Sequence, residues 1–396
     1  MTDLASIVDH ADLTRAISDR LIAVRAAADG QVIYNYTDTA MYTPGAWDNP
    51  AVRACRGLIV APDGTVVARP WPKFFNYGQA EAGTLDLDAR VSVTDKMDGS
   101  LGILHYGQDG RPRVATRGSF TSDQAIHATR VLHGRYAGIA WPPDVTPLVE
   151  IVYPSNRVVC DYGALDDLIL LGGVRVDTGD YLGAVEMADL MGWTGPVVDA
   201  MPYETLRDAL AAPPRHGKEG MCVRYLDAKP PVIVKIKQSD YVELHRIVTG
   251  LSERVVWRHM AVRACKDIIA DPRHWGTYLG VAVADAEKSL SLGDDWLAGL
   301  IDAGRVPDEV LGWLRGTVAR IGRNVADLMG EGESLAAGVA DLPPREQAEQ
   351  LRSSRLITEV LILARRGDPD PLTRRVWREV RPDHTIAPFY RGEDAA

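Results

Sequence analysis

Residues 95–100 read Asp95-Lys96-Met97-Asp98-Gly99-Ser100, between the alternating run Val91-Ser92-Val93 and the apolar run Leu101-Gly102-Ile103-Leu104. The flanks predict two strands. Lys96 then ends a strand, with a carboxylate two residues on and a glycine beside it. An amine held in that way suits a nucleophile facing a phosphate, because a covalent intermediate splits one difficult transfer into two easier ones. The same residues also suit a surface hairpin in which Asp98-Gly99 is the turn and Lys96 a solvated charge. The rest of the chain has to separate the two readings.

A chain of 396 residues is long enough for a large core and about two or three domains. Its apolar and charged fractions are those of an ordinary soluble protein. The four cysteines, Cys55, Cys160, Cys222 and Cys265, form no C-x-x-C pair, and no histidine stands at metal-ligand spacing from them. Neither a zinc site nor a disulfide framework is expected, and a reducing cytoplasm fits. The first residues lack the basic start and apolar core of a signal peptide, and no apolar run approaches membrane-spanning length. A soluble intracellular protein with no membrane partner is expected. The net charge of -10 argues against coating nucleic acid by bulk attraction. It leaves room for a local cationic cleft, since binding follows the field where the ligand sits.

Along the chain, Ile7, Ala11, Ile17, Leu21 and Val24 predict a packing helix over about 5–28, stopped by Asp29-Gly30. Val32–Tyr36 is β-rich, and Pro62-Asp63-Gly64 turns a hairpin between 57–60 and 65–68. Arg53 and Arg56 lead into that hairpin and Arg69-Pro70-Trp71-Pro72-Lys73-Phe74-Phe75-Asn76 leaves it. These cations are either solvated edge charges over a buried Phe pair or a cationic mouth for a polyphosphate. Gly107-Gln108-Asp109-Gly110 makes a second hairpin, and Thr121 or Ser122 caps a helix running to about Tyr136. Leu148-Val149-Glu150-Ile151-Val152-Tyr153 is a strand with one carboxylate, costly there without a partner or ligand. Glu219-Gly220 opens a strand that pairs with Val232–Lys237, where alternation puts Lys235 and Lys237 on one face. Like charges side by side cost free energy unless an anion lies between them. From about Tyr241 the pattern turns helical, with stripes at Val310, Leu314, Val318, Ile321, Val325, Leu328 and at Leu351, Leu356, Val360, Leu363. The predicted domains are 1–246 and 247–396.

Lys96-x-Asp98-Gly99, Glu150, Glu219-Gly220 and Lys235-x-Lys237 follow the order and rough spacing of motifs I, III, IV and V of the covalent nucleotidyltransferases, the superfamily of DNA ligases, RNA ligases and capping enzymes. Ala54-Cys55-Arg56-Gly57, Arg69-Pro70 with Lys73-Phe74-Phe75-Asn76, Gly118-Ser119, Ser122-Asp123-Gln124-Ala125, Asn156-Arg157, and Tyr241 with Leu244-His245 further resemble the RNA ligase 1 family of T-even phages. The resemblance covers roughly Tyr34 to His245.

It implies an α+β nucleotidyltransferase domain with antiparallel sheets, followed by an all-helical C-terminal domain that bears on RNA choice. It also implies an ATP-dependent RNA ligase in which Lys96 attacks ATP and carries AMP. The adenylate then moves to an RNA 5′-phosphate, and a 3′-hydroxyl displaces AMP. Arg56, Lys73, Lys235 and Lys237 are expected on the triphosphate, Tyr34 and Glu150 at the nucleoside, and Phe75 and Tyr241 either stacked near the nucleotide or in the core. Asp98 and Gly99 belong to motif I, and Arg117 stands where the family shows lysine. Glu219 is the candidate ligand of Mg2+ or Mn2+, and Asp267 lies at the separation of a further acidic residue. Lys235, Lys237 and the metal are expected to depress the pKa of Lys96 by repulsion. Implied partners are single-stranded RNA ends, cleaved transfer RNA among them, and an end-healing polynucleotide kinase-phosphatase, in the cytoplasm of a bacterial or phage-infected cell. The rival readings are a DNA ligase or guanylyltransferase, which bring an OB-fold after motif V, and a non-catalytic RNA-end binding module. Arg365-Arg366, Arg374-Arg375, Arg378 and Arg381 are either RNA contacts or a solvated face.

Overall fold

The computed structural model describes residues 2–239, 241–242, 250–302 and 308–383. Leu244-His245, most of the 246–252 junction and the tail beyond Arg391 lie outside those residues. The chain divides into one unit over Met1–His245 and another over Arg246–Tyr390.

Fourteen described strands, numbered along the chain, build the first unit. Ile22–Ala26 (β1), Val32–Tyr36 (β2), Arg56–Val60 (β3) and Val66–Ala68 (β4) form one sheet in chain order. A second sheet uses Ser100–Tyr106 (β7), Pro112–Ala115 (β8), Val145–Val152 (β9), Asp167–Arg175 (β10) and Tyr181–Leu182 (β11), in the order β11-β10-β9-β7-β8. The third uses Phe75–Asn76 (β5), Val91–Lys96 (β6), Ala200–Met201 (β12), Gly220–Tyr225 (β13) and Ile233–Lys237 (β14), in the order β12-β6-β13-β14-β5. Pairing is antiparallel among these strands except between β14 and β5.

Sequence pattern explains the layering. β9 is apolar on both faces because both are covered. On one side Leu148 joins Ile33, Ile59, Leu101 and Ile103 between the first two sheets. On the other, Val149 and Ile151 pack with Ala128 and Leu132 of helix Asp123–Arg135 and Met187 of helix Ala184–Met191. Ser122 caps the first of those helices by accepting from the N–H of Ala125. In the third sheet, Val91, Val93, Met221, Val223 and Val234 bury against Leu206 and Ala209, which leaves the other face of β6 to Ser92, Thr94 and Lys96.

Two expectations are corrected. The helix predicted over 5–28 is a helix only over His10–Ser18, capped by Asp9, and is followed by strand β1. Arg20 takes a φ of 58°, which breaks the helix, and Ile22–Ala26 then pairs with β2. Ile17 and Val24 are 37% and 42% exposed, so the apolar spacing does not mark one buried stripe. Asp98-Gly99 is not a hairpin turn either. It carries the chain from β6 in the third sheet to β7 in the second, so Lys96 stands where the two sheets exchange the chain.

In the second unit the described residues form helices and turns without a strand. The longest helix, Asp308–Val339, packs Ala336 and Val339 against Leu351, Leu356, Val360, Leu372 and Val376. The arginines of this unit are largely engaged within it. Arg378 donates to the Thr277 carbonyl, Arg381 to that of Gly280, and Arg365 to Gln347, while Arg374 lies over the Tyr278 ring. No helix among the described residues is long and apolar enough to cross a membrane.

Candidate active site

Lys96 faces Gly220 across β6 and β13, and Gly220 faces Lys237 across β13 and β14. Glu219, immediately before that glycine and 3% exposed, lies between the two amines. Lys96 Nζ donates to its Oε2 at 2.6 Å, and Lys237 Nζ lies 2.9 Å from Oε1. Gly220 makes this possible. Its φ is +151°, and a Cβ there would stand 2.0 Å from the Ile236 carbonyl oxygen, so no side chain fits where the sheet must close on the carboxylate.

The register also brings Thr94, Cys222 and Lys235 into one row on this side of the sheet. Among the described residues Lys235 has no carboxylate partner. Burial, then the charges of Lys96, Lys73, Arg56 and Lys237, push it down to about 7. Lys96 goes the other way. Burial disfavours its charge, but the carboxylate of Glu219, helped by Cys222 and Glu150, more than offsets this and holds it above the ordinary lysine range. The expected depression of Lys96 is therefore not found, and its pKa is raised instead. Glu219 stands between it and its neighbours, and Lys235 is the amine that is depressed.

The crossover after Lys96 is tied down on both sides. Asp98, 5% exposed, accepts from the N–H groups of Val159 and Cys160 at 2.8 and 2.7 Å and from the Tyr241 hydroxyl at 2.8 Å. Those bonds make Asp98 an internal anchor rather than the nucleotide contact expected of it. Tyr241 is likewise buried, with Lys237 Nζ 5.1 Å from its ring centre. Gly99 donates its N–H to Glu150 Oε1 at 2.9 Å, so the strand carboxylate has the partner that its burial requires. On the reverse face of β6, Asp95 is 2% exposed and paired with Arg215 at 3.2 Å and Lys218 at 3.1 Å.

Of the hairpin cations, Arg56 and Lys73 join this group. Lys73 Nζ lies 5.0 Å from the ring centres of both Tyr36 and Trp47. Burial lowers its pKa, with Arg56 and Arg117 adding repulsion and Tyr36 opposing. Arg117 donates to the Tyr36 hydroxyl. The Arg56 guanidinium lies 5.2 Å from the Phe74 ring centre, and its buried Nη1 has no hydrogen-bond partner among the described residues. Arg53 and Arg69 do not share this role, since Arg53 donates to the Trp47 carbonyl and Arg69 to those of Val176 and Asp177.

Three further candidates are placed as follows. Phe75 is 6% exposed and packs edge-on against Trp47, so it belongs to the core rather than to a stacking surface. Tyr34 packs against the core beneath the N-terminal helix, and Tyr36 is the tyrosine that meets Arg117 and Lys73. Asp267 lies in the second unit, exposed just after helix Glu253–Cys265. Among the described residues no group of three or more His, Cys, Asp or Glu forms a metal cluster.

Phe74, Tyr36, Trp47 and Asp95 were not singled out from the sequence. Strand alternation offered a signal for Asp95 alone: a carboxylate facing the core needs cations, and Arg215 and Lys218 precede Glu219.

The first unit is thus an α+β domain of antiparallel sheets that sets a row of lysines around a buried glutamate. Residues 54–241 match the family model described as RNA ligase. The RNA ligase 1 of bacteriophage TS2126 is 35% identical over 212 residues, 48% of this chain and 49% of that protein. A provisionally named RNA ligase of Thermovibrio ammonificans is 28% identical over 229 residues, 52% of this chain and 57% of that protein. The chain thus spans about half the length of these curated relatives. Among solved structures, an archaeal ATP-dependent RNA ligase, form 1, aligns with a TM-score of 0.41 at 16% identity, covering 87% of this chain and 86% of that one.

Proposed function

We propose that the chain is an ATP-dependent RNA ligase that joins a 5′-phosphate to a 3′-hydroxyl through AMP bound to Lys96. The observation that carries this reading is the triad of half-buried Lys96 and Lys237 on buried Glu219, beside Lys235, which has no carboxylate partner among the described residues. A non-catalytic RNA-end binder needs neither a nucleophile nor a carboxylate that stores its proton.

In the first step Lys96 gives up a proton to solvent and its nitrogen bonds to the α-phosphorus of ATP. The bond to the bridging oxygen breaks, and pyrophosphate leaves with the electron pair. Lys235, Lys237, Arg56 and Lys73 offset charge on the phosphates as it redistributes. In the second step an oxygen of the RNA 5′-phosphate attacks the adenylate phosphorus, the N–P bond breaks and Lys96 regains a proton. In the third, the 3′-hydroxyl loses its proton to solvent as its oxygen bonds to the RNA phosphorus, the bond to the bridging oxygen breaks, and AMP departs with the electron pair.

A divalent ion fits this site as a partner of one carboxylate and the nucleotide phosphates, because Glu219 is the carboxylate bonded to Lys96 and, among the described residues, no group of three or more His, Cys, Asp or Glu forms a cage. Glu219 would hold Mg2+ or Mn2+, which would supply positive charge to the phosphates. Healed RNA breaks, such as those a kinase-phosphatase produces, and cleaved transfer RNA are the substrates to offer first, in the cytoplasm of a bacterial or phage-infected cell.

Incubation with labelled ATP and a divalent metal, followed by denaturing electrophoresis, should label the wild type and leave Lys96→Ala unlabelled. Label from GTP instead would turn the reading towards a guanylyltransferase, and preferential sealing of nicked duplex DNA towards a DNA ligase. An unlabelled wild type would favour the binding module.

A further inference from the structure

Arg56 belongs to the first sheet and Lys235 to the third, yet both cations meet one ring. The Phe74 centroid lies 5.2 Å from the Arg56 guanidinium and 5.1 Å from Lys235 Nζ. The parallel pairing of Val234 with Phe75 and of Lys235 with Asn76 brings the chain to the edge of the sheet, with Phe74 one residue before the first pair and, by alternation, on the same face as Lys235. Behind it Trp71 packs edge-on at 6.5 Å, and Tyr181 packs on Trp71 at 6.3 Å. Arg56 and Lys235 lack a carboxylate partner among the described residues. They repel each other, and a four-carbon lysine stem with no partner has rotamers that carry its charge away. The negative face of an aromatic ring offsets part of that repulsion, whereas an aliphatic side chain of equal volume would only fill the space.

We infer that Phe74 is a positioning residue, whose ring holds Arg56 and Lys235 at a fixed separation so that both face the phosphates before the nucleotide arrives. This rests on the ATP-dependent reading proposed for the same site. The cations touch the phosphates, and Phe74 acts through them.

The test uses the full chain and initial rates of adenylylation against ATP concentration at pH 6, where Lys235 carries its charge. Phe74→Met keeps the volume and loses the ring, and should raise the apparent KM for ATP about tenfold, the equivalent of two cation–π contacts at roughly 0.7 kcal/mol each. Its kcat should change far less. Phe74→Tyr should stay within about threefold of the wild type. Fluorinated phenylalanines at position 74 preserve the shape while weakening the ring's negative face, so KM should climb with each fluorine even if the methionine variant fails to fold. A KM indifferent to fluorination, or equal losses in Phe74→Met and Phe74→Tyr, would make Phe74 a packing residue and overturn the inference. A wild type that takes no label from ATP would instead overturn the functional reading beneath it.

Discussion

The two amines Lys96 and Lys235 respond to pH in opposite senses. Lys235, held near 7 by burial and by its cationic neighbours, is largely neutral above that pH in the nucleotide-free protein. Phosphates raise its pKa, so ATP binding below about 7 needs no proton from solution at this residue, while above it binding must take one up. Calorimetry at pH 8 in buffers of different ionisation enthalpy should report proton uptake by the protein, and ATP affinity should weaken as pH climbs. Lys96 is held protonated by Glu219 well into the alkaline range. The adenylylation rate at saturating ATP should therefore rise with pH, because only the neutral amine attacks. Lys96 and Glu219 were legible in the sequence because their motifs are local and chemically specific. The choice between Phe74 and Phe75 was not. Adjacent residues of a strand point opposite ways, and which of them faces the site depends on pairing with β14, more than 150 positions further along the chain.

At the scale of elements, two glycines decide where the charged residues stand. A Cβ at Gly220 would meet the Ile236 carbonyl oxygen at 2.0 Å, and one at Gly99 would meet that of Ile151 at 2.5 Å. Gly220→Ala should cost roughly 2 kcal/mol or more in denaturant unfolding, since it combines a strained φ with a backbone collision. Where the variant is still folded, it should also fail to adenylylate, because β14 must move away from Glu219. An alanine that leaves both stability and labelling unchanged would contradict the placement of Glu219 described above. The hairpins at 62–64 and 107–110 and the helix start at Ser122 could be read because turn and cap chemistry is written in neighbouring residues. The strand at 22–26 and the crossover at Asp98-Gly99 could not, since each depends on pairing with chain far away.

For the whole molecule, each unit carries its own apolar clusters, Ile33, Leu101 and Leu148 in the first and Leu356, Val360 and Leu372 in the second. A fragment comprising 1–245 should unfold cooperatively by circular dichroism and take label from ATP, because every cation and carboxylate of the candidate site lies within it. A folded fragment that takes no label would assign a necessary group to the second unit. The helical stripes of that second unit were readable from periodicity. Its arginines were not, because a charge that clamps a neighbouring carbonyl and one that awaits a ligand look alike in a sequence. The acidic total of -10 likewise concealed a cationic face, because a sum over the chain carries no information about clustering.

An amine stored as an ammonium has no lone pair to offer. With its proton hydrogen-bonded to Glu219, Lys96 is poorly reactive towards stray acylating and carbamylating agents. Cyanate or acetic anhydride at neutral pH should therefore modify exposed lysines such as Lys229 well before it, as peptide mass mapping would reveal. Under the proposed mechanism the attacking amine is thereby kept silent between turnovers and shielded from covalent wear.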